Sequence, residues 1–87
     1  MKDDKPLLAD GFDSAVLGLS RGPGSADVAV YSIDKCIDIL VQRDGMSEDE
    51  AIEYMNFNVL DAYMGPMTPI FVYEMDAAAI NEYADSL

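Results

Sequence analysis

The chain has 87 residues, of which 51% are hydrophobic, and its 17 acidic and 5 basic residues give a formal charge of −12 at pH 7. A chain of this length forms one domain and buries only about 60–65% of its unfolded surface, which leaves no room for a large internal active-site cleft. The hydrophobic content argues against disorder, and the charge argues against direct binding to DNA, RNA or an anionic membrane.

The first stretch, residues 1–11, mixes charges, a proline and a glycine without periodicity, so we expect a flexible lead-in with Leu7, Leu8 and Phe12 as its anchors. It lacks the apolar core of a signal peptide, and no apolar run in the chain approaches the roughly 18–20 residues of a membrane span. Cys36 is the one cysteine, which excludes an internal disulfide and fits a reducing compartment. We therefore expect a cytoplasmic protein.

Strand composition follows in residues 15–20 and again in the β-branched run 28–31. The segment between them, from Arg21 to Ser25, is dense in turn formers, so the pair is predicted to form a β-hairpin. This glycine-rich turn is not typical of a phosphate-binding loop, because it lacks the Gly-Lys-Ser/Thr ending and no helix follows it directly.

The first predicted helix begins after Ser32, whose hydroxyl can accept an N–H group of the opening turn. Apolar residues recur at helical spacing on one of its faces: Ile33, Cys36, Ile37, Leu40 and Val41. Gly45 can take the left-handed conformation that ends a helix, so the helix should stop at about Asp44. Because Cys36 lies on the apolar face, its thiol is predicted to be buried and unreactive.

The second predicted helix begins with a capping box, in which the side chains of Ser47 and Glu50 each bind the other residue's backbone N–H. Its core face is predicted to collect Ala51, Ile52, Met55, Val59 and Leu60, with Tyr63 one turn further on.

The same helix has a second, partly aromatic face. Projected at about 100° per residue, Tyr54 and Phe57 lie outside the core stripe, beside Glu50, Asn58 and Asp61. The simpler interpretation is that the chain's own tail or a strand covers this face. The alternative is an exposed patch that binds a partner, since exposed aromatic residues rimmed by acids are common at interfaces. The sequence leaves both interpretations open.

Prolines and a glycine in residues 64–69 break any helix, and residues 70–75 have strand composition. Asp76 can cap a short final helix in the tail, 76–87. The sequence therefore predicts an α+β domain over residues 12–75, with a β-hairpin, a two-helix hairpin and a third β-strand, followed by a short C-terminal helix. From the chain direction we expect the third strand to run antiparallel to the second or parallel to the first.

The residues that most enzymes and metal sites require are missing. The chain has no histidine, the commonest general base and metal ligand, and its single cysteine then excludes zinc. The loop from Asp44 to Glu50 lacks the calcium-binding pattern of an EF-hand. We expect the many carboxylates to form solvated helix faces, and we predict no catalytic, cofactor or metal site.

One long stretch of the chain runs Asp44-Gly45-Met46-Ser47-Glu48-Asp49-Glu50-Ala51-Ile52-Glu53-Tyr54, followed by Phe57-Asn58, Gly65 and Thr68-Pro69-Ile70-Phe71. In this pattern the chain resembles a widespread family of small tailed-phage and prophage proteins. The resemblance covers most of residues 12–73, and Asp61-Ala62 departs from it where similar chains often have glycine then alanine. The resemblance implies a phage origin, and hence a location in the host cytoplasm. It also implies a compact fold, but it implies no activity.

Three functions follow as hypotheses. The first is a non-enzymatic phage accessory protein that binds a host or phage protein through the face formed by Glu50, Tyr54, Phe57, Asn58 and Asp61. The second is a nucleic-acid mimic that inhibits a host defence nuclease or polymerase with the carboxylates of Asp34, Asp38, Glu48, Asp49 and Glu53. The third is a homo-oligomeric structural or assembly component that completes its small core by self-association.

Overall fold

The described residues, 5–24 and 26–87 of a computed structural model, form a three-stranded sheet and three α-helices. After a short 3-10 turn (Asp13–Ala15) the elements are β1 (Val16–Leu19), β2 (Ala29–Ser32), α1 (Ile33–Asp44), α2 (Glu48–Asn58), β3 (Ile70–Val72) and α3 (Ala77–Asp85). The predicted α+β class, with its short C-terminal helix, is confirmed. Residues 1–4 of the predicted lead-in and Ser25 of the predicted turn lie outside the described residues.

The strands lie in the order β1-β2-β3. β1 runs antiparallel to β2, with Val16 opposite Tyr31, so the predicted hairpin is confirmed. β3 runs parallel to β2, with Tyr31 opposite Phe71, and the predicted antiparallel direction is wrong. The reason is that the helix pair and the long segment 59–69 together form a crossover connection, which returns the chain to the end of the sheet where β2 began.

The ends of α1 are fixed as the sequence predicts. The Ser32 hydroxyl accepts a hydrogen bond from the Lys35 N–H at 3.1 Å, and the same hydroxyl donates to Glu74 Oε1 at 2.5 Å. Gly45 is left-handed, with φ of 71°, and its N–H binds the Leu40 carbonyl. Ser32 is fully buried, so this one side chain both starts α1 and ties it to the segment after β3.

The start of α2 matches the prediction and its end does not. Both hydrogen bonds of the capping box between Ser47 and Glu50 are present, at 2.9 and 3.1 Å. The helix ends at Asn58 because Val59, with φ of −122°, leaves the helical conformation. Tyr63, predicted one turn further along the core face, therefore lies beyond the helix and is 76% exposed.

The predicted core face of α2 is correct for Ala51 and Met55, which are both fully buried. It is wrong for Ile52, which is 41% exposed because it borders an open groove at the edge of the helix pair. Val59 and Leu60 are half-buried and reach the core from the turn after the helix.

Replacing Ser47 by alanine is expected to lower the free energy of unfolding by about 0.5–2 kcal/mol, because the Glu50 N–H loses its acceptor. Urea denaturation followed by circular dichroism measures this change. The control is Ser14→Ala, at an exposed serine of the 3-10 turn. An equal midpoint for the two variants would contradict a stabilising cap at Ser47.

The core lies between α1, α2 and one face of the sheet, and Tyr31 is its centre. Its main buried residues are Phe12, Ala15, Ala29, Tyr31, Cys36, Leu40, Ala51 and Met55. The Tyr31 ring stacks on Phe71 with 5.1 Å between centroids, and its hydroxyl accepts a hydrogen bond from the Ala9 N–H at 2.8 Å. The core thereby joins two strands and the N-terminal segment.

Cys36 is buried in this core, as predicted, and burial raises the pKa of its thiol to about 11. The thiol is therefore protonated at neutral pH, and the reactive thiolate is scarce. We expect a thiol reagent at pH 8 to label the native protein roughly 100-fold more slowly, or slower still, than the protein unfolded in urea. Equal labelling rates would show that Cys36 is accessible in the native state.

Helix α3 begins at Asp76, whose carboxylate accepts the Ala79 N–H at 2.8 Å, as predicted. Unlike α1 and α2, it contains no buried residue. Its apolar side chains at helical spacing, Ile80 and Tyr83, are exposed.

Candidate functional site

The aromatic face of α2, defined by Glu50, Tyr54, Phe57, Asn58 and Asp61, is open to solvent. Phe57 is 78% exposed and Tyr54 38%. The interpretation that the tail or a strand covers this face is therefore wrong for Phe57, while Tyr54 is partly covered. The structure keeps four of the five residues on α2 and places Asp61 in the turn that follows.

The register of α2 dictates which side chains point outward. The capping box fixes the first turn, and Ala51 and Met55 then face the core. Phe57 follows Met55 by two residues, about 200° around the axis, and so lies on the side away from the core. Asn58 donates from its side-chain amide to the Tyr54 carbonyl at 3.3 Å, which holds that amide against the helix.

The two aromatic rings line a shallow, open depression of about 370 Å³. Its lining consists of Met46, Glu50, Glu53, Tyr54, Phe57 and Asn58. The surface thus combines two aromatic rings and a methionine with two carboxylates, a composition typical of protein interfaces.

The acidic surface, defined by Asp34, Asp38, Glu48, Asp49 and Glu53, is exposed on α1 and α2. The structure brings Asp34 and Glu48 to the border of one groove between the two helices. Asp49 and Glu53 are about 100° and 140° around the axis of α2 from Glu48, so the five carboxylates do not form a single row.

None of these five carboxylates forms a salt bridge within the described part of the chain. The ion pair found there joins Arg43 to Asp44 at 2.9 Å, and the hydrogen bond from Arg43 lowers the pKa of the Asp44 carboxyl. Arg43 also donates to the Gly11 carbonyl at 2.7 Å and lies over the Phe12 ring. Arg43, in the last turn of α1, thus holds the N-terminal segment.

Sequence reasoning missed two apolar grooves. One lies beside Ile52, where the sequence predicted a buried core position. The other, of about 490 Å³, lies beside α3 and is lined by Tyr73, Met75, Ile80 and Tyr83. The apolar spacing of Ile80 and Tyr83 was the available signal for the second groove, but spacing alone does not reveal whether a helix face finds a partner within its own chain.

Comparison with protein-family models, with curated proteins and with solved structures gives no match. Within residues 5–24 and 26–87, no helix is both long and apolar enough to cross a membrane. The same residues contain no group of three or more metal-binding side chains placed to hold an ion.

Proposed function

We propose that this is a small acidic phage accessory protein, without catalytic activity, that binds a host or phage protein through the aromatic face of α2. The observation that carries the proposal is the 78% exposure of Phe57 on a regular, capped helix. A large aromatic side chain left in water forgoes the free energy of burial, which binding to a partner recovers.

The geometry of the face suits recognition. Tyrosine and phenylalanine are both enriched at protein interfaces, tyrosine is also enriched among the residues that dominate binding free energy, and Glu50 and Asn58 provide a polar rim. Both rings project from a helix whose start is fixed by two hydrogen bonds, so the backbone that carries them is ordered before binding.

The test places a photo-crosslinking amino acid at the aromatic face. Benzoylphenylalanine replaces Phe57, and the protein is irradiated in an extract of host cells producing the phage. We expect one discrete adduct that excess wild-type protein competes away and that excess Tyr54→Ala/Phe57→Ala protein does not. This competition separates specific recognition from chance contact.

The matched control places the same crosslinker at Leu19, an exposed apolar residue that lies on β1 and not on α2. It should not give the adduct formed from position 57. An adduct that forms equally from both positions, or that the double variant competes as well as wild type does, would refute the aromatic face as the binding surface.

A second candidate function, self-association as a structural component, is favoured by α3. This nine-residue helix has no buried residue, and helices of that length are marginal in water without tertiary packing. Its groove beside Tyr73 and Met75 offers an apolar surface that a second copy could cover. Sedimentation at micromolar concentration tests this: a dimer lost in Ile80→Ala/Tyr83→Ala would support it, and a wild-type monomer would exclude it.

A further inference from the structure

A groove on the other flank of α2 combines an apolar floor with an acidic rim. Around the helix axis, Ile52 is about 140° from Phe57 and about 160° from Tyr54, so the groove and the aromatic face are separate surfaces. The groove has a volume of about 200 Å³, room for one large apolar side chain.

The floor of the groove is preformed. Met55 is fully buried at its base, and Ile37 and Leu60 are half-buried along it. Ile52 closes one side and remains 41% exposed, although its spacing in the sequence is that of a core residue. An apolar side chain entering here would complete the packing that the chain itself leaves open.

The rim is negative. Asp34 and Glu48 border the groove from α1 and α2, and both are exposed. Each lies in the first turn of its helix. No lysine or arginine among the described residues lines the groove. A ligand that fits must therefore present an apolar group close to positive charge.

We propose that this groove binds a basic peptide segment of a partner protein, with one large apolar side chain in the groove and flanking Lys or Arg side chains against Asp34 and Glu48. Charge complementarity selects this occupant, because a chain of charge −12 repels an acidic segment. The apolar contact distinguishes this segment from other basic segments, which charge alone would not do. The inference does not depend on the aromatic face.

The probe is a blocked pentapeptide with leucine at its centre and two lysines on each side, titrated into the full chain. Methyl NMR signals of Ile52 and Met55 report on the groove. We expect saturable shifts at these two residues. A peptide with serine in place of leucine keeps the charge and should bind about 10-fold more weakly or worse, because the buried side chain is lost.

The rim is tested with two matched double variants. Asp34→Asn/Glu48→Gln removes both rim charges, and Asp85→Asn/Glu82→Gln removes two exposed charges on α3, so each takes the net charge from −12 to −10. The rim variant should weaken binding of the leucine peptide about fivefold, as expected for two exposed ion pairs, and the α3 variant less than twofold.

Three results would overturn the inference. Equal weakening by the two variants would mean diffuse attraction to the total charge. Equal affinity for the leucine and serine peptides would remove the apolar contact. Shifts centred on Phe57, lost in Tyr54→Ala/Phe57→Ala, would place the peptide on the aromatic face. The comparison of the leucine and serine peptides uses the wild-type chain, so it is decisive even where a variant folds poorly. Crosslinking at position 57 tests the aromatic face separately.

Discussion

Replacing Tyr31 by alanine is expected to lower the free energy of unfolding by about 3–5 kcal/mol. The residue is fully buried, stacks on Phe71 and accepts the Ala9 N–H, so the variant loses contacts to β3 and to the N-terminal segment together. A domain of this size has roughly 4–13 kcal/mol of stability in total, so a large fraction of the molecules could unfold. Urea denaturation followed by circular dichroism is the measurement.

Two further variants separate the contribution of the Tyr31 hydroxyl from that of its buried ring. Tyr31→Phe keeps the ring and removes the hydroxyl, and it should cost about 0.5–1.5 kcal/mol, the net value of one hydrogen bond. Tyr63→Ala removes a tyrosine that is 76% exposed and should change stability by less than about 0.5 kcal/mol. If Tyr31→Ala and Tyr63→Ala unfolded at the same urea concentration, Tyr31 would not be the centre of the core.

Local features of this fold were predictable because local residues determine them. Ser32, Ser47 and Asp76 each accept a backbone N–H three residues ahead, and Gly45 takes the left-handed conformation without a steric penalty. These interactions lie within one turn of chain and require no knowledge of distant elements. Helix starts and the end of α1 were therefore correctly predicted.

Features set by distant contacts were not predictable in this way. The direction of β3 depends on how the segment 59–69 returns to the sheet, and no residue in that segment encodes a direction. Ile52 and Tyr63 have the spacing of core residues, but one lies at the edge of the helix pair and the other beyond the helix end. Periodicity identifies a face and does not show what covers it.

In the candidate site, too, features set by local helix geometry were predictable and features set by distant elements were not. The projection of α2 correctly separated Tyr54 and Phe57 from the core stripe, because it depends only on helix geometry. Whether that face stays open depends on where α3 goes, and the structure shows that it leaves Phe57 exposed. The groove beside Ile52 could not be foreseen, since it needs the relative position of α1 and α2.

The largest functional effect is expected for Tyr54→Ala/Phe57→Ala, measured against the partner that crosslinking at position 57 identifies. Loss of two aromatic anchors should weaken binding by at least about 2 kcal/mol, roughly 30-fold. Because the lost contacts are mainly apolar, this loss should hardly change between low and high salt. Phe57 is exposed and Tyr54 is partly covered, so we expect a modest loss of stability with the fold retained, which circular dichroism checks.

The opposing variant replaces the acidic surface, Asp34, Asp38, Glu48, Asp49 and Glu53, by Asn or Gln. If these carboxylates imitate the phosphates of a nucleic acid, binding should fall in proportion to the charge removed, and added salt should reproduce the loss in the wild-type protein. If they mainly keep the chain soluble, most of the binding should persist, and stability should stay level or rise through reduced self-repulsion. We expect the aromatic variant to bind more weakly than the acidic one. The reverse order, with a steep salt dependence, would favour the nucleic-acid mimic, because only then would the charge of −12 be the recognised feature.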